Sequence, residues 1–398
     1  CFMNRIDRDS LAEIEFQLRW RSRDGEHTDA AVKRVNFWRD WLPGPVFEEL
    51  MGASHGDCKT FRFPASQAAG EHSERDRHRL RRSQFNEKMA VPRYGRFYPK
   101  GVLRDFYHVF PQNIQPIRCV GADPERVEVD CNHPLAGYDL EVTAVVHDVM
   151  KKPFDRGGQS KVLMEQITDG PGMQARYNGR PTDFDHPDAF ARSDESEDTR
   201  FYDRPRLVTH IDTRAIETIS ELYGSFLTPD MAVLDLMSSW RSHVPEAARP
   251  EKLVGLGMNA EEMAANPQLT DHVVHDLNAQ PQLPFGDGSF DCVICTVSVE
   301  YMTRPVAVFR DIARILKPGG RLVHTFSNRW FPPKAIRLWT ELHEFERMGL
   351  VLDYFQRSGR FTDLGTFSSS GWDRPENDKY YPDMPQSDPV FAVWGTRV

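Results

Sequence analysis

Apolar and polar residues alternate one for one from Ile14 to Trp20 in EIEFQLRWRSRDGE, and the run stops at Asp24-Gly25. A two-residue period puts successive side chains on opposite faces of a strand, so this stretch predicts a half-buried strand closed by a turn. Val127, Val129, Leu140, Val142, Ala144 and Val146 keep the same period through RVEVDCNHPLAGYDLEVTAVVHDV and predict a second strand pair. Between these runs, Glu71 to Arg82 is dense in Arg, His and Glu and reads as a solvated helix or loop. The N-terminal half is accordingly expected to be mainly β.

From Met150 to Thr199 the pattern breaks into KKPFDRGGQS, DGPG and RYNGRPTDFDHPDAFARSDESEDT. Pro, Gly and Asp at this density favour irregular backbone, so residues 150–200 are expected to link two domains, with a strand or short helix at Val162 to Ile167. Beyond them the spacing changes. Arg214 to Phe226 carries apolar positions at helical intervals, Met231 to Leu236 and Leu253 to Leu256 are short apolar strands, and Asn259 to Ala265 opens as a helix under an Asn cap. Val273 and Val274 begin a third strand and Phe290 to Val297 is a fourth. Val306 to Leu316 is an amphipathic helix stopped by Lys317-Pro318-Gly319-Gly320, Arg321 to Phe326 resumes as a strand, and PVFAVWGTRV, after a polar segment from Asp373 to Asp388, is the last. Strands alternating with helices predict a parallel sheet covered on both faces.

At 398 residues the chain is long enough for two domains. No apolar run approaches the ~20 residues that span a bilayer, which excludes a membrane helix. A net charge of -9 argues against a general phosphate-binding surface, so nucleic acid is not the expected partner. The six cysteines (Cys1, Cys58, Cys119, Cys131, Cys292 and Cys295) lack the density of a disulfide framework and are expected as reduced thiols in a cytoplasm. Cys292 and Cys295 form a CxxC pattern, but inside the strand FDCVICTV they are expected as core residues, and no metal site is expected. Cys1 to Arg5 do not read as a secretory leader, and the missing start Met suggests numbering from inside a gene or after a tag.

Asp24-Gly25, LPGPVFEELMGASHGDCKTFRFPASQAAGEH and NHPLAGYDLEVTAVVHDV, in that order, resemble the FKBP-type prolyl isomerases, in particular the bacterial form with an inserted chaperone flap. The resemblance implies an α+β, mainly β, domain over residues 1–149, a flap over about 83–125, a helix beginning near Pro45-Val46-Phe47-Glu48 and a final NHPLAG hairpin. Where the family has an aromatic in its pocket-rim AYG segment, this chain has Gln67-Ala68-Ala69-Gly70. Loss of that ring removes apolar wall and a hydroxyl, so a scaffold, dimerisation or substrate-covering role is implied ahead of isomerisation.

VLDLMSSWRSHVP, KLVGLGMNAEEMA, HVVHDLNAQPQLPFGDGSFDCVICTVSVEYM and ILKPGGRLVHTFSNR occur in the order and at the intervals of the class I methyltransferases of the small-molecule type. The resemblance covers residues 201–398 and implies a Rossmann-like, doubly wound α/β domain that takes S-adenosyl-L-methionine. In its terms Asp235 attracts the ammonium of the methionine part, with Ser238 and Ser239 in place of the usual glycines. The acidic residue that normally accepts the ribose hydroxyls is replaced by Gly257, and Asn259, beside Met258, is the candidate substitute. Asp276 and Leu277 take the adenine, Val297 and Ser298 face the sulfonium, and Arg206 belongs to the cofactor pocket. Tyr202, His210, Glu300 and Tyr301 are the candidate catalytic contributors. Asn328, Arg329 and Trp330 are candidates for acceptor binding, though Trp330 and Phe331 serve equally well as packing for the next helix. The expected reaction is methylation of a small acceptor, a thiol or sulfide first, because a thiolate forms near pH ~8.5 without an elaborate base. A chaperone with a vestigial second domain and a protein methyltransferase are the alternatives, and a homodimer is compatible with either.

Overall fold

The structure, a computed structural model, describes residues 4–151 and 157–398. Cys1 and part of KKPFDRGGQS lie outside the described residues. The chain forms two compact units, one from residues 1–184 with 343–349 and the other from 185–342 with 350–398. The division falls after Phe184, inside the stretch expected as a linker. That stretch is not an open connector, because Leu163 and Ile167, on a short helix Leu163–Ile167, are buried in the core of the first unit.

In the first unit the strands are β1 (Ser10–Arg21), β2 (Glu26–Asn36), β3 (Cys58–Phe63), β4 (Arg77–Arg81), β5 (Phe97–Pro99), β6 (Pro116–Ala122), β7 (Arg126–Asp130) and β8 (Leu140–Lys151). The alternation in β1 has the predicted effect: Ile14, Phe16 and Leu18 are fully buried, and Arg21 lies opposite Glu26 across the Asp24-Gly25 turn. Strands β2, β1, β8 and β3 lie side by side and antiparallel. The helix expected near Pro45 spans Gly44–Leu50 and buries Val46 and Leu50.

Two expectations fail here. Val127 and Val129 do not pair with Leu140 to Val146: β7 joins a separate sheet in the order β4-β7-β6-β5, so the NHPLAG segment connects two sheets and is no hairpin. Period two states that a strand has a buried face; it does not state which partner buries it. Arg77 to Arg81, read as solvated helix or loop, is β4, whose Leu80 packs on the core of the small sheet while its arginines stay in water. The small sheet starts at Arg77 and ends at Asp130.

The second unit contains β9 (Ala232–Leu236), β10 (Lys252–Gly257), β11 (Asp271–Val274), β12 (Phe290–Thr296), β13 (Leu316–Phe326), β14 (Phe361–Ser370) and β15 (Val390–Arg397). Their order is β11-β10-β9-β12-β13-β15-β14. The first five are parallel, whereas β15 runs antiparallel to both β13 and β14, so the sheet is mixed where a parallel one was expected. β14 escaped notice because FTDLGTFSSS has no apolar run; its burial comes from its partner. Lys317 to Gly320 interrupts the β12–β13 register without ending the strand.

Helix Thr213–Gly224 is capped by Asp212, whose carboxylate accepts from the Ala215 amide, and buries Ala215, Thr218, Ile219 and Tyr223 along one stripe. Helix Pro305–Ile315 buries Val308, Phe309, Ile312 and Ile315, each worth about 1.5–3 kcal/mol against exposure. Cys292 and Cys295 are sealed in β12, and burial pushes the Cys292 thiol up to about 12, as core residues require. No helix among the described residues is long and apolar enough to cross a membrane. With β9 flanked by β10 on one side and β12 on the other, the strand order reverses at β9, and a crevice opens beyond the carboxyl ends of these strands.

Candidate functional site

The crevice is a cleft of about 1200 Å³, counted to its open mouth. At the end of β9, Asp235 is almost fully buried between its sheet neighbours Gly255 and Ile294. Its carboxylate accepts from the hydroxyls of Ser238 (2.6 Å) and Ser242 (2.7 Å), and Ser242 in turn accepts from the Asn266 amide at 2.9 Å. Burial raises this carboxyl from its ordinary value to about 6, and the two serine hydroxyls pull against that rise. The loop that carries the serines begins at Met237 and ends at His243, both held at positive φ (57° and 56°), the strain a glycine would have relieved.

At the end of β10, Gly257 is glycine for a steric reason. A side chain there would overlap the carbonyl oxygen of Ser238 and meet the Met263 sulfur at 3.1 Å. The Ser238 amide donates to Leu256 at 2.8 Å, which fixes the crossing of loop over strand. Asn259, the expected substitute, is already engaged: its oxygen caps helix Ala260–Ala264 by accepting from the Glu262 amide, and its nitrogen donates to the carbonyls of Tyr202 (2.8 Å) and Asp203 (3.1 Å). Glu262 does reach the cleft, where its carboxylate accepts from the Ser239 hydroxyl and from the Arg206 amide, both at 2.6 Å.

Beyond β11, one oxygen of Asp276 accepts from the amides of Asn278 (2.8 Å) and Ala279 (3.0 Å), which leaves the other without a hydrogen bond among the described residues; Leu277 beside it is buried. Beyond β12, Val297 has a φ of 41°, an outlier for a β-branched residue, and its amide is held by Thr325 at 2.8 Å. Ser298 follows, and then Tyr301, whose phenol oxygen accepts from the Phe331 amide at 2.8 Å. Arg206 lies over the rings of Phe201 (4.7 Å) and Phe331 (5.3 Å), and His210 meets Phe331 at 5.0 Å. Burial and then the Arg206 guanidinium lower the His210 pKa, while burial raises that of the Tyr202 and Tyr301 phenols.

Thus Tyr202, Arg206, His210, Asp235, Ser238, Ser239, Met258, Asn259, Asp276, Leu277, Val297, Ser298 and Tyr301 share one cleft. Four others do not line it. Glu300 is buried at 1% exposure and is not among the lining residues. Asn328 points to solvent, Trp330 is half-buried outside the lining, and Arg329 is drawn to Asp388 at 3.1 Å and lies over Tyr380. Being next to the end of β13 does not suffice when a buried carboxylate sits nearby. Phe331, read equally as pocket wall or packing, lines the cleft, and Trp240, His243 and Glu262 line it and were missed as site residues. For Glu262 a signal existed, since Asn followed three residues later by Glu is a capping pattern that marks the start of this helix.

Residues 242–324 match a family model described as a methyltransferase domain. A ubiquinone biosynthesis O-methyltransferase of Xanthomonas oryzae pv. oryzae is 33% identical over 106 residues, 27% of this chain and 40% of that protein. The ubiquinone/menaquinone biosynthesis C-methyltransferase of Roseobacter denitrificans is 31% identical over 143 residues, 35% of this chain and 54% of its own. A malonyl-[acyl-carrier protein] O-methyltransferase of a Marinomonas strain is 28% identical over 118 residues, 27% of this chain and 44% of that protein. The chain thus spans about half, or less, of these relatives. The β-rich N-terminal half stays unassigned. The donor used by domains of this class is S-adenosyl-L-methionine. The C-terminal half of the chain carries a class I S-adenosylmethionine-dependent methyltransferase domain.

Proposed function

We propose that the second unit transfers a methyl group from S-adenosylmethionine to a small acceptor. The observation that carries this reading is the convergence of Asp235, Asp276, Val297 and Tyr301, from the ends of three strands, on a single cleft at the switch point. The donor set fits the cofactor: carboxylates of Asp235, Glu262 and Asp276 suit a ligand that bears an ammonium and a sulfonium. When bound, the cofactor supplies a methyl on positively charged sulfur, which keeps the C–S electron pair as the methyl leaves. Asp235 would hold the ammonium, Asp276 and Leu277 the adenine, and Ser238, Ser239, Met258, Val297 and Ser298 the path between them. Tyr202, Tyr301 and Phe331 would exclude water and orient the acceptor, which is most of what a displacement requires.

His210 is the group we assign to proton removal. Burial and Arg206 keep it neutral at pH 7, so it can take the acceptor's proton as the acceptor's lone pair attacks the methyl carbon. With such a base present, an ionisable oxygen or carbon acid is the acceptor class carried forward, in line with the oxygen and carbon methyltransferases among the relatives. A thiol or sulfide, expected from sequence because it needs little help, becomes one arm of the test. For the N-terminal half, an FKBP-like scaffold without isomerase activity is proposed on the NHPLAG motif and on the small sheet inserted between β3 and β8; a proline-peptide assay should read background.

The test is calorimetry with S-adenosylhomocysteine, followed by a panel of phenols, enols, carboxylates and thiols incubated with cofactor and read by mass spectrometry. Micromolar binding and turnover on an oxygen or carbon acid are expected. Folded protein that binds no cofactor would overturn the enzyme reading in favour of a chaperone, and turnover confined to protein chains would make it a protein methyltransferase.

A further inference from the structure

We propose that Glu262, on the helix after β10, is the residue that binds the two ribose hydroxyls of the nucleoside, in place of the strand-end acid that Gly257 cannot carry. The inference rests on the reading of the cleft as a cofactor site. Among the described residues, four carboxylates line the cleft. Asp198 is spent: its oxygens accept from Arg192, Asn278 and Lys334. Asp235 has one oxygen taken by Ser238 and Ser242 and is assigned to the ammonium, and Asp276 follows β11 and is assigned to the adenine.

Glu262 alone combines partial exposure with a place between the β9 loop and the end of β10. One of its oxygens accepts from Ser239 and the other from the Arg206 amide, so each oxygen keeps an acceptor position. A vicinal diol presents two O–H donors side by side, and two free acceptor positions on one carboxylate match it with charge-assisted bonds. The relocation has a cause in the backbone. The Ser238 carbonyl occupies the space into which a side chain at position 257 would project, so the acid must come from elsewhere. Asn259 contributes by holding the helix that carries Glu262: its oxygen accepts the Glu262 amide at 3.0 Å. The Arg206 amide also ties the segment before helix Thr213–Gly224 to the same carboxylate.

The experiment measures S-adenosylhomocysteine and its 2′-deoxy counterpart by calorimetry against the full chain as wild type, Glu262→Gln and Glu262→Ala. Wild type should prefer the ribose form by roughly 10-fold or more, and Glu262→Ala should lose roughly 10- to 100-fold for the ribose form but only a few-fold for the deoxy form. Glu262→Gln, which keeps a side chain able to accept from Ser239, should fall between. Equal losses for both ligands, or none, would overturn the assignment while leaving the cofactor site standing. Failure of folded wild type to bind either ligand would remove the cofactor reading itself, and this assignment with it.

Discussion

Asp235→Asn separates what the buried carboxylate does for binding from what it costs in stability. Burial holds this carboxyl at about 6 against an ordinary 3.8, so the folded state keeps a proton that the unfolded chain has released. The folded pKa is the higher one; stability is therefore lost as pH rises from about 3.8 to about 6 and is flat above that. A displacement of about two pH units corresponds to about 3 kcal/mol at pH 8, and roughly half of it at pH 5. An amide of the same shape still accepts from Ser238 and Ser242 and has no charge to desolvate. The variant should thus be more stable than wild type by up to about 3 kcal/mol at pH 8, by roughly half as much at pH 5, and should bind S-adenosylhomocysteine at least ~10-fold more weakly. Urea melts at both pH values and calorimetry at pH 8 measure these quantities. A variant no more stable at pH 8 would show that Asp235 is not strained by burial, and one that keeps its affinity would show that Asp235 is not engaged with the ligand.

Gly257→Ala should cost about 1–3 kcal/mol in a thermal or urea melt and weaken cofactor binding, because the Ser238 backbone must shift to admit a methyl group. Replacing His210 by Gln should remove the acid limb of the kcat profile, which in wild type rises with pH through a midpoint below 6.5; a limb that survives the substitution assigns the base elsewhere. Lys334 is fully buried, with its ammonium against Asp194 (3.3 Å) and Asp198 (3.2 Å), so Lys334→Met should destabilise the fold by about 3–5 kcal/mol, read as a lowered urea midpoint.

Much of this protein is local and therefore written in the order of its residues. The alternation in β1 determines a buried face, the Asp212 and Asn259 caps determine where two helices begin, and four apolar strands with helices between them determine a sheet with a switch point. The site is legible to the same depth, since residues that immediately follow parallel strands must meet at their carboxyl ends. Partnership between distant segments is another matter. Period two in β7 and β8 could not tell that they enter different sheets, nor could a polar β14 announce itself before β15 covered it. Arg329 leaves the cleft because Asp388, far along the chain, is nearer and buried. Gly257 is required by one carbonyl group, that of Ser238 in the loop after β9, and Glu262 meets the Ser239 hydroxyl of the same loop. Backbone propensity and hydrophobic period act over a few residues and can be read along the chain, whereas the choice among competing charges and the exclusion of one atom by another exist only once the segments have come together.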